Sequence, residues 1–303
     1  MVQIQKSFDS KEPGLYIVPT PIGNLDDMTY RAVSILQSVD MIACEDTRQT
    51  KKLLHYFNIE KPLISYHEHN KFEREEKLIN LLKDGQTIAL VSDAGMPIIS
   101  DPGFELVRRV REEGVNVTAL PGANAALTAL VGSGITSGSF TFYGFLPRKK
   151  KELKEVFEEL GKANHTLIFY ESPHRVKHTI EVMNEVYSSD RKVVVARELT
   201  KKFEEYVYGS LDEVSLYMKS EDAELRGEFC IVLEGRLEFE DEQNNWWEEL
   251  SVKEHVDHYV RQGDSPKDAI KKVAKERGQA KTKSIKLIMN KRLQHQCCNL
   301  GII

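Results

Sequence analysis

The stretch from Thr87 to Gly103, TIALVSDAGMPIISDPG, constrains this chain more than any other. Thr87 to Ser92 is mostly apolar, the composition of a strand buried on both faces of a parallel sheet. The run breaks at Asp93, and a loop from Asp93 to Gly103, with two prolines and two glycines and ending in Asp101-Pro102-Gly103, leads to a helical pattern from Phe104 to Val110. Ligand crevices in open α/β sheets lie outside the carboxyl ends of strands. The loop therefore predicts a binding site. An ordinary βα turn is the bland alternative, but two aspartates and two glycines exceed what turning requires.

The same punctuation recurs along the chain. Strand patterns at Leu15–Pro19, Met41–Cys44, Leu63–Ser65 and Val117–Leu120 alternate with helical patterns at Met28–Leu36, Lys51–Phe57 and Phe72–Leu82, the first of these capped by Asp26 or Asp27. A small-residue helix, Ala125 to Val131, is followed by a second series. Its strands are Ser139–Tyr143, Thr166–Tyr170, Lys192–Ala196, Glu205–Tyr208 and Phe229–Leu233, and its helices are Lys150–Leu160, Val176–Val186 and Leu211–Met218. The expected class is α/β, with one α/β domain over residues 12–125 and a second over 126–235. An acidic linker, 236–250, then leads to a basic helical module, 251–303. That module holds helical patterns at Val252–Val260, Pro266–Glu276 and Thr282–Leu293, and Ser265-Pro266 starts the middle one. The helices around Gly278 resemble a helix-turn-helix.

Composition removes several classes. A chain of 303 residues, 41% hydrophobic, can bury two ordinary cores. Its apolar runs are too short to span a bilayer, and its N-terminus lacks a signal-peptide pattern, so a cytoplasmic protein with no membrane contact is expected. Cys44, Cys230, Cys297 and Cys298 form neither a disulfide framework nor metal knuckles. His67 and His69 flank Glu68 without a third ligand at metal-site spacing, so no metal is expected. Net charge is -5, but residues 251–303 carry 12 Lys+Arg against 5 Asp+Glu, while the remainder carries 30 against 42. A basic module on an acidic body predicts a polyanion contact.

The chemistry-bearing loops fall at strand ends: Pro19 to Asn24, Glu45 to Arg48, Asp93 to Gly103, and Pro121 to Ala125. No GxGxxG follows the first strand and no GxxxxGK[ST] is present, which argues against nicotinamide and P-loop chemistry. Asp93 and Asp101 are candidate acceptors for an amine or hydroxyl, and loops of this kind suit a neutral or cationic nucleoside better than a triphosphate. Glu45, Asp46 and Arg48 form a polar cluster, although Asp46 or Thr47 is equally placed to cap the next helix. Glu171-Ser-Pro-His-Arg175 repeats the arrangement, with a cap at Glu171 or Ser172 and Pro173 at the first helical position as the structural alternative. Arg197 to Lys202 is similar.

Six motifs in order, Val18-Pro-Thr-Pro-Ile-Gly-Asn-Leu25, Cys44-Glu-Asp-Thr-Arg48, Val91 to Gly103, Phe145-Leu-Pro147, Tyr170-Glu-Ser-Pro-His-Arg175 and Arg197-Glu-Leu-Thr-Lys201, resemble the ribosomal RNA small subunit methyltransferase I family. The likeness runs from about residue 14 to 235 and continues more weakly into the tail. It implies the tetrapyrrole methylase fold, a homodimer, and S-adenosylmethionine bound in the cleft between two domains without metal. It implies methylation of a cytidine 2'-hydroxyl in 16S rRNA, with the small ribosomal subunit as partner and no DNA. The cofactor contacts it implies are Pro19, Thr20, Ser92, Asp93, Ala94, Gly95, Ile98, Asp101 and Pro102, then Pro121, Gly122, Asn124 and Ser133, and in the second domain Tyr170, Ala196, Gly227, Glu228 and Phe229. Met96 stands where the family usually has Thr, and Asn124 where Ser or Cys is common. Met96 lacks a hydroxyl but can line an apolar side of the cofactor.

Transfer to a ribose hydroxyl needs positioning and a proton acceptor. Glu45 and Glu171 are the carboxylates best placed for that role, with Asp46 orienting one of them or the ribose. Either glutamate could instead hold an arginine. Arg48, Arg175 and Arg197 are expected to grip flanking phosphates. A tetrapyrrole methyltransferase is the runner-up, but it gives no reason for a basic tail. A non-enzymatic RNA-binding protein needs the tail without the pocket. The tail's cations include Lys271, Lys272, Lys275, Arg277, Lys281, Lys283, Lys286, Lys291 and Arg292, and a solvated helical face is the plain alternative.

Overall fold

A computed structural model describes residues 4–5, 14–236, 247 and 250–277. The chain separates into two compact units, Met1–Arg236 and Leu237–Ile303.

The first unit holds two sheets. Strands β1 (Gly14–Ile17), β2 (Met41–Cys44), β3 (Leu63–Ser65), β4 (Ile88–Val91) and β5 (Asn116–Ala119) form the first, in the order β3-β2-β4-β1-β5 with every pair parallel. Parallel pairing needs crossovers, and α1 (Tyr30–Ser38), α2 (Thr47–Tyr56), α3 (Lys71–Lys83) and α4 (Phe104–Glu112) supply them. Alternation along the strands decides which helix meets which face. Leu15, Ile17, Ala43, Ile88 and Leu90 pack with Leu78, Leu82, Leu106 and Val110 of α3 and α4. Val18, Ile42, Cys44, Ala89 and Val91 pack with Ala32, Leu36 and Leu54 of α1 and α2. Both faces are covered, which explains why these strands read as continuous apolar runs.

The second sheet is mixed. Strands β6 (Phe140–Phe145), β7 (Thr166–Glu171), β8 (Lys192–Arg197), β9 (Glu205–Ser210) and β10 (Phe229–Leu233) lie in the order β6-β7-β10-β8-β9. β6 and β7 are parallel, and the remaining pairs are antiparallel. Helices α6 (Lys150–Leu160), α7 (Val176–Val186) and α8 (Leu211–Tyr217) cover one face through Leu153, Phe157, Ile180, Met183, Leu211 and Val214. The other face receives α5 (Ala125–Ser133), whose Ala126, Ala129 and Leu130 meet Ile168, Val194, Ala196 and Val232. Small residues let this helix approach the strands closely.

Several local expectations need correction. The cap of α1 is Thr29, whose hydroxyl accepts from the Ala32 N–H at 3.0 Å. Asp26 and Asp27 lie in a preceding 3-10 turn, Leu25–Asp27, which Asn24 caps. Helix α2 begins at Thr47, four residues before its expected start, because the Asp46 side chain caps it through the Arg48 N–H. Helix α7 starts at Val176, after a turn at residues 173–175, so neither Glu171 nor Ser172 is its cap and Pro173 is not its first residue.

In the second unit, α9 (Val252–Arg261) and α10 (Pro266–Glu276) pack through Val256, Ala269 and Val273. Ser251 and Glu254 form a capping box, and the Ser265 hydroxyl accepts from the Asp268 N–H at 3.2 Å. The expected helix at Thr282–Leu293 and Cys297 and Cys298 lie outside the described residues. No described helix is long and apolar enough to cross a membrane.

Candidate active site

The loops after β1 and β4 are joined at their backbones. The Thr20 N–H donates to the Gly95 carbonyl at 2.9 Å, and the Gly95 N–H donates to the Thr20 carbonyl at 3.0 Å. The Thr20 hydroxyl donates to the Ser92 carbonyl at 3.1 Å, and the Ser92 hydroxyl to the Gly95 carbonyl at 2.9 Å. These bonds fix the path of residues 92–95. Gly95 holds φ +80, and a Cβ there would stand 3.0 Å from Ile22. Further along, Ile98 and Ser100 take φ +77 and +67. A β-branched residue in that region carries strain of about 1–3 kcal/mol, and such strain gathers where a loop must present groups to a ligand.

Beneath this loop opens a cavity of about 420 Å³. Asp93, Ala94, Gly95, Met96, Ile99, Ser100 and Asp101 form one wall. Strand ends of the second sheet form the other, with Phe145, Tyr170, Glu171, Ala196, Leu199, Gly227, Glu228, Phe229 and Cys230. Ile22, Asn124, Ala125, Ser172 and Pro173 complete it. None of these lining residues is Lys, Arg or His. The wall is apolar with carboxylates at its edges, which suits a cationic or neutral ligand and opposes a polyphosphate.

A smaller hollow beside it is lined by Glu45, Tyr66, Leu90, Val91, Ser92, Pro97, Asp101 and Pro102. Asp101 borders both spaces. Burial is the largest cause that pushes its carboxyl up to about 6, with Glu45 and Asp93 adding repulsion. Glu45 reaches solvent, yet desolvation by the surrounding protein raises its pKa as well, followed by the charge of Asp93. Asp93 accepts from the Asp46 N–H at 3.2 Å, tying the ends of β2 and β4 together.

The residues expected at the site separate into groups. Asp93, Ala94, Gly95, Asp101, Asn124, Tyr170, Ala196, Gly227, Glu228, Phe229 and Glu171 line the main cavity. Pro19, Thr20, Ser92, Ile98, Pro102, Pro121, Gly122 and Ser133 do not. Thr20 and Ser92 brace the loop from below. Pro19 lies under Gly122, where a Cβ would stand 2.6 Å from the proline ring. Ser133 accepts from the Ile135 N–H at 3.0 Å and donates to the Leu130 carbonyl at 2.7 Å, finishing α5. The Asn124 side chain caps α5 through the Leu127 N–H at 3.0 Å. Tyr170 accepts from the Ala126 N–H at 3.1 Å, and burial pushes its phenol up to about 12.

The charged residues are more occupied than their sequence context suggests. Glu171 is 2% exposed, and its oxygens accept from the Ser172 N–H at 2.8 Å and the Thr179 hydroxyl at 2.7 Å. Arg175 lies 3.5 Å from it and donates to the Leu146 carbonyl at 3.2 Å and the Pro147 carbonyl at 2.5 Å. Arg197 donates to Glu205 at 2.8 Å. Asp46 and Arg48 pair at 2.7 Å on the surface, and that hydrogen bond is the main cause holding the Asp46 carboxyl down at about 2. Sequence reasoning placed Ile99 and Ser100 only as part of the loop from Ser92 to Pro102, and it missed Ile22, Ala125, Phe145, Ser172, Pro173, Leu199 and Cys230 as wall residues. Their apolar or small side chains carry no chemical signal, and the loop motifs around Ile22 and Ile99 were the available clue.

Comparison with known proteins follows from this geometry. Residues 14–215 match the family described as Tetrapyrrole (Corrin/Porphyrin) Methylases. Ribosomal RNA small subunit methyltransferase I of Bacillus subtilis is 55% identical over 280 residues, covering 91% of this chain and 95% of that protein. The chain belongs to the ribosomal RNA small subunit methyltransferase I family. A second relative of that name, from Halalkalibacterium halodurans, is 50% identical and covers 91% of this chain and 96% of its own length. The fold of this chain also matches uroporphyrin-III C-methyl transferase from Thermus thermophilus, solved in complex with S-adenosylhomocysteine. There the TM-score is 0.52 at 16% identity, covering 73% of this chain and 97% of that one. At such identity the match speaks for the fold alone.

Proposed function

We propose that this protein transfers a methyl group from S-adenosylmethionine to the 2'-hydroxyl of a cytidine in 16S rRNA, acting on the small ribosomal subunit as a homodimer. The observation that carries the reading is the 420 Å³ cavity, walled by both sheets and lacking basic residues, in a chain 55% identical to a named rRNA methyltransferase.

The cavity's chemistry fits the cofactor. Ile22, Met96, Ile99, Leu199 and Phe229 offer apolar surface, while Asp93, Asp101 and Glu228 offer acceptors for hydroxyl and amino groups and negative charge towards a sulfonium. Gly95 leaves open the volume a side chain would fill. Bound there, S-adenosylmethionine supplies an electrophilic methyl carbon on a sulfonium.

The chain's own groups supply positioning and proton removal. Glu171 is fully engaged with Ser172, Thr179 and Arg175, and it serves to hold Arg175. Glu45 accepts no hydrogen bond from another described residue, so its oxygens are open to receive the hydroxyl proton. Its raised pKa matches it to that task. Arg48, paired with Asp46 but with its guanidinium largely exposed, serves phosphate contact.

The test is direct. Purified protein, tritiated S-adenosylmethionine and small ribosomal subunits from cells lacking the gene should yield labelled 16S rRNA, with 2'-O-methylcytidine on nuclease digestion and mass spectrometry. Label in a base, in a different nucleoside, or in no RNA at all would refute the reading.

A further inference from the structure

The edge strand β6 does not run straight into the site. Its register with β7 shifts between Phe142 and Gly144, a bulge of the kind that re-aims side chains at sheet edges. Gly144 takes φ +83 with its Cα side close against Ser100, so the strand end abuts the strained loop. The next residue, Phe145, is 58% exposed although it lines the cavity. One edge of its ring meets Tyr170, with centroids 5.7 Å apart and planes at 64°.

The turn behind Phe145 is clamped. Arg175 donates to the carbonyls of both Leu146 and Pro147, and buried Glu171 lies 3.5 Å from the same guanidinium. Leu146 is itself buried. Beyond its edge contact with Tyr170, the ring presents apolar surface to solvent on a rigid mount. A basic run, Arg148-Lys149-Lys150-Lys151, follows directly. Lys149, Lys150 and Lys151 pair with Glu152, Glu185 and Glu155. Arg148 is exposed and forms no ion pair or hydrogen bond with another described residue.

We propose that Phe145 is the platform on which the unstacked target base of the RNA lies, with Arg148 gripping an adjoining phosphate. The proposal rests on the methyl-transfer reading above and specifies how that site holds its substrate. Single-stranded nucleic acid is recognised by aromatic faces that stack bases and cations that track the backbone, and enzymes acting on one nucleotide take it out of its stack. Phe145 lines the cavity and exposed Arg148 follows three residues later, so the turn supplies one of each. Arg175 and Glu171 are positioning residues for this platform, so the Glu-Ser-Pro-His-Arg motif acts through the Phe-Leu-Pro turn.

The experiment compares Phe145→Ala, Phe145→Trp and Arg148→Gln with the wild type, using small ribosomal subunits from cells lacking the gene. Phe145→Ala should weaken subunit binding roughly tenfold or more, within the range of base–aromatic stacking, and should weaken calorimetric affinity for S-adenosylmethionine by a clearly smaller factor. Phe145→Trp should restore binding, and its fluorescence should fall when the RNA arrives. Arg148→Gln should lower the slope of log affinity against log salt by about one. Wild-type affinity in Phe145→Ala overturns the proposal, as does loss of cofactor affinity with RNA binding intact, which would make the ring a cofactor wall. If the wild type methylates no small-subunit RNA, the underlying reading fails, and this inference with it. Wild-type methylation with an unaffected Phe145→Ala removes the inference alone.

Discussion

Thr20 and Gly95 exchange backbone hydrogen bonds in both directions, at 2.9 and 3.0 Å, across 75 residues of sequence. That bridge is antiparallel, where β1 and β4 themselves pair in parallel, and it lies past the end of the sheet. It brings the first motif of the chain under the loop that roofs the cavity.

Gly95 leaves little room for a side chain at this bridge. A Cβ would meet Ile22 at 3.0 Å and the Ala123 carbonyl at 3.4 Å, and φ is +80. Gly95→Ala should lower stability by about 1–2 kcal/mol through backbone strain, read as a shift in a urea melt. Gly95→Trp should abolish S-adenosylmethionine binding in calorimetry. A tryptophan variant that binds as tightly as the wild type would put the cofactor elsewhere.

The two glutamates should fail in different ways. Glu45→Gln should leave the urea midpoint unchanged and reduce single-turnover methyl transfer roughly 10²-fold or more, with partial recovery at high pH. Glu171→Gln replaces a buried carboxylate that accepts from two donors and pairs with Arg175. It should cost about 1–3 kcal/mol of stability and leave the shape of the pH profile intact. A stable Glu171→Gln with a flattened pH profile would reverse the assignment.

Asp101 gives a stability signature. Its folded pKa of about 6 lies above the usual carboxylate value near 3.9. Between those values the folded state binds more protons than the unfolded state, so stability falls as pH rises from about 4 to 6 and levels off above. Asp101→Asn removes this titration. Allowing for solvent around a half-buried group, the variant should be more stable at pH 7 by about 1–2 kcal/mol, a gain that shrinks towards pH 4. Parallel urea melts at pH 4.5 and 7 measure it, and equal differences at both would refute it.

The basic module should contribute salt-dependent RNA affinity. Lys272 pairs with Asp264 at 2.7 Å and Lys271 with Asp268 at 3.5 Å, so part of their charge is already answered within the module. Replacing Lys271, Lys272, Lys275 and Lys281 by Gln should therefore flatten the salt slope by fewer than four phosphates' worth, with cofactor affinity unchanged. An unaltered slope would return these lysines to a solvated face. Lys281 itself lies outside the described residues.

By itself the sequence determined the element order. β2, β3, β10, α6, α7 and α10 fall at the residues their patterns predict, because apolar periodicity and end signals are local. It also determined that the carboxylate-rich and glycine-rich loops sit at strand ends, since each follows directly on an apolar run. Sheet pairing was not legible. Whether β10 inserts antiparallel between β7 and β8 depends on contacts distant in the chain, which no local pattern records. Side-chain employment was hidden for the same reason. Glu171 read as a proton acceptor or an arginine's partner and Arg175 as a phosphate grip, and the fold turns one onto Thr179 and the other onto the carbonyls of Leu146 and Pro147. Residue type fixes what a group can bond to. Only the tertiary structure decides which partner comes within 3 Å, and therefore which groups remain free for a ligand.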